Sequence, residues 1–146
     1  MPAHRTSRPS ESTPPPLGNH RRTLGRLGEE LAADHLRRLG FAILERNART
    51  RAGEIDIVAC DGDTLVFAEV KTRRISSRRQ PIREDQQPLI ALRARQRTRL
   101  RRLAIAWLST SQRSRPFAAD IRFDAIGVLV DGTGTLRRLE HIEGAW

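Results

Sequence analysis

Tyrosine is absent from this chain of 146 residues, and four phenylalanines and two tryptophans are its only other large aromatics. With so few planar rings, no stacking platform for single-stranded nucleic acid is evident. A single cysteine, Cys60, excludes an internal disulfide and fits the reducing setting of a cytoplasmic protein. No run of about 18 apolar residues occurs, so no membrane-spanning helix and no membrane partner is expected. The N-terminal segment also lacks the apolar centre of a signal peptide. Four histidines stand at positions 4, 20, 35 and 141, without metal-ligand spacing, and read as structural or solvent-exposed. Acidic residues are in deficit: 27 lysines and arginines face 17 aspartates and glutamates.

That imbalance, a net charge of +10 and a pI near 11.6, points to polyanionic partners, nucleic acid foremost. Nearly all of the positive charge is arginine, whose planar fork matches phosphate oxygens. The length suits one domain with a core of its own. Residues 1–20 hold five of the eight prolines and no apolar run, and read as a disordered tail before a single domain over 21–146.

Residues 22–39 have helical periodicity, with Leu24, Leu27, Leu31 and His35 on a stripe widened by Gly28, Ala32 and Leu39. Gly40 is a suitable stop. Phe41–Asn47 reads as a short strand, followed by a basic loop carrying Arg49 and Arg51. Thr72–Gln87 reads as a long basic connection, with Arg73 and Arg74 at its start. Residues 88–109 form a second helix with Leu89, Leu92, Leu100, Leu103 and Trp107 on one line. Gln96 falls in the middle of that line, and a buried amide without a partner costs about 1–3 kcal/mol. Arg95 and five further arginines occupy the other faces, a like-charge crowding that a polyanion relieves. A strand over Asp120–Ile126, a turn at Asp131–Gly134 and an edge strand over Thr135–Ile142 complete the order α-β-β-β-α-β-β, which implies an α/β fold with a mixed sheet flanked by helices.

The densest signal lies between Gly53 and Arg73. Two alternating stretches flank Asp61-Gly62, a dipeptide suited to a tight primed turn, so the segment reads as a hairpin. With Asp61-Gly62 as the turn, Asp56 faces Phe67 and Glu54 faces Glu69. Asp56 and Glu69 then lie diagonally on one face, about 7–8 Å apart along the backbone. Lys71 follows on that face. Two glutamates opposite one another repel, and a divalent cation between carboxylates removes the repulsion, Mg²⁺ being suited to hard oxygen ligands and Mn²⁺ an alternative. A neighbouring lysine positions or deprotonates a water. The bland alternative is a solvent-exposed Glu69–Lys71 pair of little energetic worth.

Asp56 with Glu69-Val70-Lys71 resembles the D…(D/E)-x-K signature of restriction-endonuclease-like nucleases. G-E-I-D-I-V followed by L-V-F-A-E-V-K-T-R is similar to the YraN family of small bacterial proteins, over about residues 24–130. The resemblance implies a restriction-endonuclease-like fold and a Mg²⁺-dependent endonuclease acting on DNA or RNA, with Asp56 and Glu69 as metal ligands and Lys71 as a catalytic residue. It further implies Glu29, after Gly28, as an auxiliary acid, and agrees with a site role for Gln96 after Arg95. Arg49, Arg51, Arg73, Arg74 and Arg95 are the expected nucleic-acid contacts. A non-catalytic nucleic-acid-binding module on the same fold is the alternative.

Overall fold

The computed structural model describes residues 17–76, 81–89, 94–110 and 118–145. Five strands form one mixed sheet: β1 (Ala42–Thr50), β2 (Gly53–Asp61), β3 (Thr64–Arg74), β4 (Asp120–Val130) and β5 (Leu136–Ile142), in the spatial order of the chain. Helix α1 (Leu17–Arg38) precedes them and α2 (Ala94–Thr110) joins β3 to β4. β3 and β4 run parallel, which is why a crossover is needed between them, and every other neighbouring pair is antiparallel. The order α-β-β-β-α-β-β is the expected one.

The two helices cover opposite faces. Ala32, Ala33 and Leu36 of α1 pack with Ile57, Ala59, Val66, Ala68, Ile126, Val128 and Val130. Leu100, Leu103, Ala104 and Trp107 of α2 pack with Ile55, Val58, Cys60, Leu65 and Phe67. Trp107 is core, and its Nε1–H donates to Glu45 Oε2 at 2.9 Å, tying α2 to the edge strand β1.

Several expectations need correction. Helix α1 starts at Leu17, so residues 17–20 are helical; residues 1–16 lie outside the described residues. Leu24, Leu27 and Leu31 pack partly buried against the core as expected, and the fully buried line runs through Ala32, Ala33 and Leu36, whereas Leu39, between the helix end at Arg38 and Gly40 (φ +92°), is 53% exposed. Leu89 is buried but precedes α2, packing over Gly127 where a Cβ would lie 2.9 Å from Leu89 Cγ; residues 90–93, including Leu92, lie outside the described residues.

The hairpin turn is Gly62-Asp63 rather than Asp61-Gly62, and Asp61 pairs with Thr64. Gly62 takes φ +61°, and Asn47 is the only non-glycine at positive φ among the described residues, so Asp63 is not. Glycine alone in the first central position is the requirement of a II′-type turn. Asp61 stays in the ladder, where Arg122 Nη1 donates to its Oδ2 at 3.1 Å. Each β2 residue therefore faces a β3 residue two positions further on than an Asp61-Gly62 turn gives: Val58 faces Phe67 and Cys60 faces Leu65.

Candidate active site at a seam in the sheet

Ile55 and Ile57 have the same strand parity, yet Ile55 packs under α2 and Ile57 under α1. The alternation therefore breaks at Asp56. The β2–β3 pairing stops at the same place, at Ile57↔Ala68. Two residues further along β3, the Val70 N–H donates to Asp56 Oδ2 at 2.7 Å, a side chain standing in for a ladder carbonyl. The strands part here, and Asp56 plugs the seam between them.

Glu69 belongs to the α2 layer. It is only 5% exposed, and two cations attend it: Lys71 Nζ at 2.9 Å and, from α2, Arg99 Nη1 at 3.9 Å from the same Oε1. Gly53 (φ +136°) makes room for this approach, since a Cβ there would lie 3.2 Å from Leu103 Cδ2 and 3.8 Å from Arg99 Nη2. Glu29 enters from the other layer. Gly28 lets α1 lie so close to β3 that a Cβ would fall 1.7 Å from Thr72 Oγ1, and Glu29 is the next residue. Asn47, at φ +50°, hydrogen-bonds the Glu29 side chain.

The electrostatics register this convergence. Burial, and then the Glu69 charge, push the Asp56 carboxyl from its ordinary 3.8 up to about 7, against the opposing Val70 hydrogen bond. Glu29 adds to the rise and Lys71 moderates it. Glu29 is itself raised, by burial and the Glu54 charge against the Asn47 hydrogen bond and the Arg46 and Arg26 charges. Glu69 and Lys71 share one face of β3 as expected and pair at 2.9 Å; Asp56 meets them at the seam rather than by strand parity, and Glu29 reaches the same place from the other layer. Glu54 does not oppose Glu69. It pairs in register with Arg49 of β1 and lines the α1 side.

Two carboxylates in mutual repulsion at a partly dry seam suit a hard cation. Among the described residues no group of three or more His, Cys, Asp and Glu is disposed to cage a metal. A Mg²⁺ site does not need such a cage, because that ion is held by one or two carboxylates plus water and substrate phosphate. The residues fit that ion.

The remaining expected residues are placed as follows. Gln96 is half-buried on α2, one turn before Arg99 and Leu100. Arg49 and Arg51 are exposed at the β1–β2 end and Arg74 is exposed on β3, whereas Arg73 Nη1 donates to the Asp85 carbonyl at 2.8 Å. The Arg95 side chain lies outside the described residues. Asp124, by contrast, is far from any solvent: fully buried, it accepts from Arg122 Nε and Nη2, His141 Nε2 and the Gly144 N–H. Sequence reasoning missed Arg99, which lies three residues after Gln96 and so on the same helix face. It also passed over a stronger sign: Lys71 is the only lysine among the 27 basic residues. A chain that otherwise writes arginine keeps, at this one position, the cation that can release a proton.

The family model described as uncharacterised protein family UPF0102 matches residues 28–128. A UPF0102 protein of Streptomyces griseus is 48% identical over 86% of this chain and 98% of its own length. One from Acidothermus cellulolyticus is 43% identical over 86% and 95%, and one from Pelotomaculum thermopropionicum 38% identical over 89% and 100%.

Proposed function

This chain belongs to the uncharacterised protein family UPF0102, and we propose that it is a metal-dependent nuclease with a restriction-endonuclease-like core that hydrolyses phosphodiester bonds of DNA or RNA. The observation that carries the reading is Asp56 in the seam, raised to about 7 chiefly by burial and Glu69, with the Lys71 ammonium 2.9 Å from Glu69. Asp56 and Glu69 are the residues that would hold Mg²⁺, or Mn²⁺ in its place. When bound, the cation supplies Lewis-acid polarisation of the phosphodiester and a more acidic water.

In hydrolysis the water oxygen forms a bond to phosphorus, the bond to one ester oxygen breaks, and that oxygen leaves with a proton. Lys71 positions the water and offsets negative charge growing on the phosphoryl oxygens. Arg99 presents a planar donor fork to the same oxygens. Glu29 and Gln96 orient these groups from α1 and α2. The net charge of +10 draws the polyanion in.

One observation favours the alternative of a non-catalytic nucleic-acid binder: Glu69 is already ion-paired by Lys71 and Arg99, as an inert structural carboxylate would be. Labelled branched, flapped, single-stranded and duplex substrates with Mg²⁺, Mn²⁺ or EDTA separate the two. Cleavage should require the metal and vanish in Asp56→Ala and Lys71→Ala. Equal residual cutting by wild type and variants rejects the enzyme, and metal-independent, salt-sensitive binding alone supports the binder.

A further inference from the structure

A cleft of about 620 Å³ opens on the α1 side of the seam, lined by Arg22, Gly25, Arg26 and Glu29 of α1, Asn47 and Arg49 of β1, and Glu54 of β2. Positions 22, 25, 26 and 29 recur at helical spacing, so one face of α1 forms a wall. The volume is that of a small-ligand site rather than a surface dimple.

The lining has two kinds of group. Three arginines suit phosphate oxygens. The two carboxylates do not, because Glu29 and Glu54 would repel a bare phosphodiester, and the Asn47 amide can accept as well as donate. They suit N–H donors, and a nucleic acid offers a full edge of those only on a base out of its pair. Glu29 Oε2 is buried and has no hydrogen-bond partner among the described residues, so the wall carries an open acceptor. None of the lining residues is aromatic, so the hold is polar rather than by stacking.

We propose that this cleft binds unpaired nucleotides of a nucleic-acid strand, with Arg22, Arg26 and Arg49 on the phosphates and Glu29, Asn47 and Glu54 on the exposed base edge. Glu29 joins the cleft to Asp56, so a strand seated here runs on to the seam. The inference rests on the reading of this face as one that meets nucleic acid, and it names the substrate: a strand with a single-stranded segment or end, in preference to continuous duplex.

Gly25 supplies the decisive variant. A Cβ at Gly25 meets nothing within 4 Å, so the side chain of Gly25→Leu starts into open space at the cleft wall, and the net charge is unchanged. It also exchanges glycine for a better helix former. Binding of the full-length protein in EDTA is measured by anisotropy with a labelled DNA single strand, the same strand in blunt duplex, and the duplex carrying a single-stranded tail. Wild type should favour the single strand and the tail by about tenfold. Gly25→Leu should erase the preference, keep duplex binding and keep or raise Tm. Arg22→Ala/Arg26→Ala should lower the salt dependence of single-strand binding, the slope of log K against log salt falling by about 1.4. Equal wild-type affinity for all three probes, or a preference that survives Gly25→Leu, overturns the proposal. A preference without Mg²⁺-dependent cleavage rejects the nuclease alone, and cleavage without a preference rejects this site alone.

Discussion

Ile55 and Ile57, two residues apart on one strand, are buried in opposite layers of the protein. A regular strand would send both the same way. The break leaves Asp56 between β2 and β3, where its carboxylate accepts the Val70 N–H. A carboxylate used as a substitute backbone acceptor is fixed in direction, and it sits where strand pairing has ended and both layers have access. The chemistry proposed for this protein depends on that local failure of regularity.

Asp56 should make metal-free stability fall as pH rises. Its folded pKa, about 7, lies above the ordinary 3.8, so from about pH 4 to 7 the folded state holds a proton that the unfolded state has released. The favourable contribution is complete below pH 4 and gone above pH 7, on the order of 4 kcal/mol in all. Urea denaturation in EDTA across this range should show the decline in wild type and a flatter profile in Asp56→Asn. Mg²⁺ at pH 7 should raise the wild-type Tm and leave that of Asp56→Asn unmoved.

Lys71 and Arg99 both face Glu69 Oε1 but differ in what they offer. Lys71→Ala is expected to cost about 10²–10⁴-fold in cleavage rate. Lys71→Arg should fail to restore it, because a planar guanidinium does not place a compact point charge where the ammonium stands. Arg99→Ala should cost less, on the order of 10²-fold. Single-turnover rates on the preferred substrate, with circular dichroism as the check on folding, read all three. Full activity in Lys71→Arg would remove the lysine from the chemistry.

Gly28→Ala tests the closeness of α1 to β3. The new Cβ would fall 1.7 Å from Thr72 Oγ1 and 2.7 Å from Thr72 Cβ, so the helix must back away from the strand. A loss of about 1–3 kcal/mol is expected in urea denaturation. Because Glu29 moves with the helix, single-strand binding should weaken too. An unchanged denaturation midpoint would mean that α1 is not held against Thr72.

Asp124 should behave as a structural anchor with the opposite pH sign. Burial alone would raise its pKa, but hydrogen bonds from His141, Arg122 and the Gly144 N–H, with the Arg122 charge, hold it below the ordinary 3.8. Its contribution is therefore present above about pH 4 and lost as pH falls through the folded value. Asp124→Ala leaves Arg122 facing only Asp61 and Glu143 and unties the C-terminal turn, at a cost of about 3–5 kcal/mol. Acid unfolding should move to higher pH in that variant, with metal-dependent cleavage per folded molecule unchanged.

Much of this was open to reading from local pattern. Leu100, Leu103 and Trp107 advertise the buried face of α2 by helical spacing, and Gly62 marks a primed turn because few residues accept its φ. The Asp131–Thr135 turn is equally local: Asp131 Oδ1 accepts from Thr133 and Thr135 within the segment itself. The register of the hairpin was not legible, because Asp61 has two competing uses, turn residue or ladder residue. Arg122, sixty-one positions away, decides between them.

The sequence by itself determined the residue types that do chemistry, the order of elements and the excess of positive charge, since these follow from spacing and composition. Only the tertiary structure decided that Asp56 lies in a seam, that Arg99 reaches Glu69 from α2, and that Arg22, Arg26 and Arg49 share a cleft with Glu29. Side-chain period is a property of one strand, whereas a seam exists only where two strands stop pairing. Nothing within either strand states where that will be.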